Sequence, residues 1–287
     1  MNGARTGFKR MVVGLPQGVA DQAAVNAAAD LAEFLQIELL AAFVADTTHT
    51  LAELSGAREL RALDLEWQAI DAERITRDIK SAASLARRRF AEIVGGRSIK
   101  STFDVIADAE VIASRIRADD IVAVIEPAHP GERITRQFTG LLKAAFTLAG
   151  AVLVVPRRLA RTAGPIVAVA VDVDDPAIRV ALEIAAALKE RLIVMAAAGA
   201  RLPAPVLADA ERLGVQLELF AGGRSPTDVS PLSTISGRLQ ERLRVLQGGA
   251  MTDDAAGLFA SLQGIPLLVI DGDRAEAAAE RHVDDNR

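Results

Sequence analysis

Residues 166–197 read IVAVAVDVDDPAIRVALEIAAALKERLIVMAA, and they hold one complete strand–turn–helix–strand unit. The apolar run 166–171 has the length and β-branched content of a buried strand. Asp172 to Pro176 follow as a turn: acids suit a helix amino terminus, and proline is tolerated in the first turn. Ile178, Ala181, Leu182, Ala185 and Leu188 then recur at three and four, the stripe of a helix with one buried face. Leu192 opens the next apolar run, 192–197.

The same order stands near the amino terminus. Residues 11–45 read MVVGLPQGVADQAAVNAAADLAEFLQIELLAAFVA. An apolar run at 11–15 meets the turn Pro16-Gln17-Gly18, then a helical stripe of Ala24, Ala28, Leu31 and Leu35, then a second run at 37–45. The two halves also end alike. A helix at 138–148 stops at Gly150 before the strand 152–155, and a helix at 255–262 stops at Gly264 before the strand 267–270. Further strands are expected at 101–106 and 121–125 in the first half, with a short helix at 110–117. In the second half they are expected at 215–220 and 243–246. Alternating β and α elements predict an α/β fold of two tandem open parallel-sheet units with right-handed crossovers. The expected first domain is 1–157 and the second 164–273, with a basic linker ending in Gly164-Pro165 and a tail at 274–287.

Residues 51–94 have no counterpart in the second half. They are rich in helix formers, with an apolar stripe at Leu60, Leu63, Trp67 and Ile70 that steps by five to Ile75, Ile79, Ala82, Ala86 and Phe90. One helix over that span would measure roughly 55–60 Å and a five-residue step turns its buried face, so a break is expected near Asp71. The first piece, 51–70, is expected to be a helical insertion, either a structural cover for its own sheet or a surface against the other domain or a second subunit.

Composition narrows the function. The 287 residues are 51% hydrophobic and 25% charged, the balance of a globular protein, with 3% aromatics, so the core must be Ala, Val, Leu and Ile. Net charge is −5, which offers no general surface for nucleic acid, and Arg87-Arg88-Arg89 sits among acids on a helix face. With no cysteine, thiol catalysis, disulfides and cysteine zinc sites are excluded. His49, His129 and His282 are far apart and lack metal-ligand spacing. The apolar core of residues 1–18 is too short for a signal peptide or a membrane span. A cytoplasmic protein with no membrane contact is the expectation.

The repeat, with its first-strand and terminal Leu/Val-strand texture, resembles the tandem, two-domain form of the universal stress protein family over roughly 8–156 and 164–271. The resemblance implies the adenine-nucleotide-hydrolase-like fold with strand order 3-2-1-4-5 in each unit. It also implies that the last strands, 152–155 and 267–270, pair across a pseudo-dimer, and it admits a homodimer. Nucleotide-binding members carry an acid at the end of the first strand that contacts adenosine. Asp172 matches it, whereas the first half has Leu15-Pro16 there. They also carry a Gly-x-x-Gly loop after strand four, whose backbone N–H groups close on phosphate.

Neither half of this chain has that loop. After 121–125 come Glu126, Pro127, His129, Pro130 and Glu132, where the prolines lack donors and the acids repel phosphate. Arg133 and Arg136 could restore anion affinity through their side chains. In the second half Gly248-Gly249 could form a small anion nest, but Asp253 and Asp254 follow closely. The candidate binding residues are therefore Asp172, Gly248 and Gly249 in one half and Gly14, His129, Arg133 and Arg136 in the other. In open α/β sheets such residues meet at the carboxyl ends of the strands, where strand order reverses. The reading is a non-catalytic, stress-type small-ligand binding or sensing protein, with ATP or another adenine nucleotide as the weak ligand the resemblance implies. The alternatives are an interaction protein of the same fold that binds no nucleotide, and a nucleotide hydrolase. For the last, no nucleophile–base–acid set is readable.

Overall fold

The structure, a computed structural model, describes residues 7–15, 22–45, 56, 58–60, 66–69, 71–106, 109–127, 130–172, 174–197, 199–222, 239–248, 256–257, 260 and 262–274. The turn at 16–18, Leu63, Ile70, His129, Gly249, Asp253, Asp254 and residues 275–287 lie outside them.

The first half runs β1 (Arg10–Leu15), α1 (Gln22–Leu35), β2 (Glu38–Val44), a small pair β3 (Arg58–Leu60) and β4 (Trp67–Ala69), then α2 (Ala72–Val94). It continues through β5 (Ser101–Ile106), α3 (Ala109–Ala113), β6 (Asp120–Ile125), a 3-10 turn (Pro130–Ile134), α4 (Arg136–Leu148) and β7 (Ala151–Val155). The second half has β8 (Ile166–Val169), α5 (Pro176–Leu188), β9 (Leu192–Ala197), α6 (Ala204–Leu213), β10 (Leu217–Gly222), β11 (Leu243–Gln247) and β12 (Leu267–Ile270).

Ten strands share one sheet in the order β10-β9-β8-β11-β12-β7-β6-β1-β2-β5. Counted within each half, with the β3–β4 pair left out, both read 3-2-1-4-5 from the outer edge inward. Every neighbour within a half is parallel. At the centre β12 and β7 pair antiparallel, with Leu268 opposite Leu153 and Val269 opposite Val152. The expectation of a separate sheet for each half is thereby corrected. The same pairing that the resemblance implied for a pseudo-dimer welds the halves edge to edge. A two-fold relation between like strands requires this antiparallel contact, and it covers two edges that would otherwise leave backbone groups unpaired.

The period-2 alternation of each strand divides the core between the two faces. Met11, Val13 and Leu15 face the helices α1, α2, α5 and α6, with Ala28, Ile79, Ile178 and Ala210 in the same cluster. Val12, Val122 and Val154 face the opposite side, against Ile112 of α3 and Leu141 and Ala145 of α4. Helix α5 starts on buried Asp175, whose Oδ1 accepts from Ala177 N at 2.8 Å, with Pro176 in its first turn. Helices α1 and α5 both end in a residue with left-handed φ, Gln36 at 55° and Lys189 at 56°, so the repeat persists to the level of single caps.

The two glycine stops that the sequence aligned act for different reasons. Gly264 has φ +64°, where a side chain is strained. Gly150 is small because a methyl group there would overlap the carbonyl oxygen of Ala118.

The expected break at Asp71 is present: this residue caps α2, its Oδ1 accepting from Glu73 N at 2.9 Å. The expected helical insertion at 51–70 is not. Its described part is the antiparallel pair β3–β4, with Leu60 in register with Trp67. Positions seven apart lie on one face of a helix after two turns, and they also fall opposite each other across a hairpin. That is why the apolar spacing misled. Trp67 is 58% exposed in the single chain, and Leu63 and Ile70 lie outside the described residues.

Candidate functional site

In a 3-2-1-4-5 sheet the strand order reverses between strands one and four, so each half has a crevice at the carboxyl ends of those strands. In the first half these are β1 and β6; in the second they are β8 and β11.

In the first-half crevice the described candidate residues are engaged by the chain itself. Gly14 lies on β1 between Ala42 and Val124, and a methyl group on it would overlap Leu141 Cδ2, so its smallness serves the packing of α4. Glu126 follows β6 directly and is only 5% exposed. Its Oε2 accepts from Arg133 Nε at 2.8 Å and from Nη2 at 2.5 Å. A methyl on Gly257, in the second half, would come within 2.6 Å of Glu126 Oε1, so the ion pair is packed against the opposite half. Arg133, the side chain expected to recover anion affinity, is thus committed to an internal carboxylate. A phosphate would have to displace a charge-assisted contact from a buried position. Arg136 is the first residue of α4, whose amino end is capped by Thr135 Oγ1 accepting from Phe138 N at 3.3 Å.

In the second half Asp172 stands exposed just past β8. Its Oδ1 accepts from Asp174 N at 3.0 Å, forming a local turn, and no partner for Oδ2 occurs among the described residues. The acid that sequence reasoning undervalued is Asp175. It accepts from Val171 N at 2.9 Å as well as from Ala177 N, so one buried carboxylate ties the strand end to the helix start. Burial pushes its pKa up, against the pull of those two backbone donors. The Asp-Pro dipeptide at a strand–helix turn was the available signal.

Gly248 follows β11 directly and donates its N–H to Ile270 O at 2.5 Å. That donor is therefore spent on the chain. A methyl group on Gly272 would come within 2.9 Å of Gln247 Nε2 and 3.2 Å of Pro176 Cγ, so this glycine packs against both. Beside it opens a cavity of about 270 Å³ lined by Phe146, Gln247, Gly248, Asp271 and Asp273. Asp271 is paired with Arg274 at 3.0 Å. Two carboxylates in that lining disfavour a phosphate. The structure thus brings Asp172 and Gly248 to neighbouring strand ends of one half, and Gly14 and Arg133 to those of the other.

Among the described residues no helix is long and apolar enough to cross a membrane. No cluster of three or more His, Asp or Glu side chains suited to a metal ion occurs among them either.

The α/β architecture with its mostly parallel sheet is that of the universal stress proteins. A crystal structure from Archaeoglobus fulgidus DSM 4304, described as a universal stress protein, superposes with a TM-score of 0.57 at 10% identity, covering 93% of this chain and 97% of that one. One from Pseudomonas aeruginosa UCBPP-PA14, also described as a universal stress protein, gives 0.53 at 18% identity, over 96% and 98% of the two chains. At such identities the likeness is one of fold. No family model and no curated protein matches the sequence.

Proposed function

We propose that this chain is a non-catalytic binding or sensing module of the universal stress fold, built of two repeats at 1–157 and 164–273. Its nucleotide contact is confined to the nucleoside end of the ligand and to the second half. The observation that carries this reading is the contrast between the two anion positions and Asp172. Arg133 is held by buried Glu126, and the Gly248 N–H is held by Ile270 O, so among the described residues neither strand-four end offers a free phosphate donor. Asp172, in contrast, is exposed at a strand-one end with one carboxylate oxygen unengaged among the described residues. A ribose or base donor can reach it; a triphosphate gains little from being attached. Such a contact, without a phosphate cradle, corresponds to a Kd of about a millimolar, some 4 kcal/mol.

The test is calorimetric titration of ATP into wild type and Asp172→Ala. The expected result is a weak wild-type isotherm that the substitution abolishes. Tight binding, or weak binding indifferent to the substitution, overturns the assignment. A flat wild-type titration would favour the alternative of an interaction protein without nucleotide, which the internal Glu126–Arg133 pair also supports.

A further inference from the structure

A second crevice, away from the carboxyl ends of β8 and β11, lies where the halves meet on the α1–α5 face. It has a volume of about 250 Å³. Leu31 of α1, Leu153 of β7, Leu188 of α5 and Pro266 before β12 give it an apolar floor. Its rim carries Arg161 and Thr162 from the linker and Arg242 from the start of β11. Neither arginine has a carboxylate partner among the described residues. Arg242 instead stacks over Phe34, with its guanidinium carbon 6.0 Å from the ring centroid. The acid on the rim, Asp30, is already satisfied by Arg97, which also donates to Asn26 Oδ1 at 3.2 Å. The lining therefore joins two arginines that have no carboxylate partner among the described residues to a set of apolar side chains.

The geometry points to a binding site for a small organic carboxylate, its apolar body on Leu31, Leu153, Leu188 and Pro266 and its carboxylate between Arg161 and Arg242. Planar guanidinium forks match a carboxylate in two-pronged geometry. Few well-placed polar groups over an apolar floor are the usual composition of a small-molecule pocket. The volume, about 250 Å³, lies just below the roughly 300–1,000 Å³ of pockets for drug-sized ligands and suits a small acid. Inorganic phosphate would satisfy the arginines but leave the floor without a partner. Because the walls come from both halves and the linker, an occupant would be bound by the joined chain and by neither half alone. Ligation would then raise the stability of the whole by mass action.

Octanoate, octanol and inorganic phosphate are titrated by calorimetry, with melting temperature measured in parallel. The proteins are wild type, the double variant Arg161→Gln/Arg242→Gln, and Ala27→Leu, whose larger side chain fills the crevice. The expected result is one octanoate per chain with a raised melting temperature, and at least about tenfold weaker binding of octanol and of phosphate. The double variant should lose at least about tenfold in octanoate affinity, and Ala27→Leu should abolish binding while keeping the wild-type circular dichroism. Should the double variant fail to fold, Ala27→Leu decides. Asp172→Ala should bind octanoate as wild type does, which separates this site from the nucleoside contact. Failure of wild type to bind octanoate overturns the proposal. So does octanoate binding that survives both sets of substitutions, or phosphate binding equal to that of octanoate.

Discussion

Helices α1 and α5 are the same element in two copies, and one position in them has taken opposite paths. The left-handed caps at Gln36 and Lys189 align the helices and set Asp30 against Glu183, six residues before the cap in each. Asp30 is 40% exposed on its side chain and is held by Arg97, which also reaches Glu33 at 3.2 Å. Glu183 has no such partner. Its Oε2 is buried without a hydrogen bond among the described residues, and burial pushes its pKa up to about 7 from 4.5. Arg179 and Arg212 pull the other way, and Asp209 adds to the rise. The comparison teaches that a repeat conserves a fold through backbone caps and apolar stripes, while each copy settles its charges with whatever its own neighbours supply.

The buried ion pairs at the amino ends of the central strands give the largest expected effect. In the second half Glu241 and Arg244 are both fully buried and paired, with Arg244 Nε 3.1 Å from Glu241 Oε2. Removing one partner strands a charge, so Glu241→Ala should cost about 3–5 kcal/mol in chemical denaturation. The first-half counterpart, Arg10 with Asp120, keeps Arg10 partly open to solvent at 17%. Asp120→Ala, which leaves that partly solvated cation behind, should cost less, about 2 kcal/mol, on the scale of a charged hydrogen bond. Equal costs would contradict the difference in burial between the halves.

Glu183 comes next. Its folded-state pKa lies above the unfolded value, so the native state favours the protonated carboxyl. Stability is therefore undiminished below about 4.5 and falls as pH rises from there to about 7, where the penalty is complete. Two and a half units correspond to roughly 3 kcal/mol. Glu183→Gln should remove that component of the pH dependence and stabilise the protein at pH near 8, measured by denaturant midpoints across the range. Asp30→Asn should act in the opposite sense. It should destabilise slightly, by about 0.5–1 kcal/mol, as expected for a partly exposed pair. Between these stands Gly264→Ala, expected to cost about 1–2 kcal/mol through its positive φ.

What was legible in the sequence follows from the range of each interaction. Strand one, helix one and the terminal Leu/Val strands are local patterns, and the β7–β12 contact followed from the resemblance they carried. The insertion was misread because Leu60 and Trp67 are seven apart, a spacing that two helix turns and a hairpin register share. At the candidate site, Glu126 and Arg133 were each weighed against a phosphate, one as repulsion and the other as attraction. Their mutual pairing, which spends both, depends on a turn geometry that the sequence does not spell out. The Arg97–Asp30 contact spans 67 positions and had no local sign. Glu183 did have one, since a lone acid inside the apolar run Val-Ala-Leu-Glu-Ile-Ala-Ala belongs to a helix that is apolar nearly all round, the pattern of a buried helix.

The central claim is that this fold retains a nucleoside contact and has replaced phosphate recognition by internal bonding. Affinities of adenosine and ATP for the wild-type chain, measured side by side at one ionic strength, test it most directly. The account predicts weak binding of both, within about threefold of each other, since among the described residues neither strand-four end has a free donor to reward the phosphates. An ATP affinity about a hundredfold above that of adenosine, equivalent to roughly 2.8 kcal/mol for the triphosphate, would contradict it.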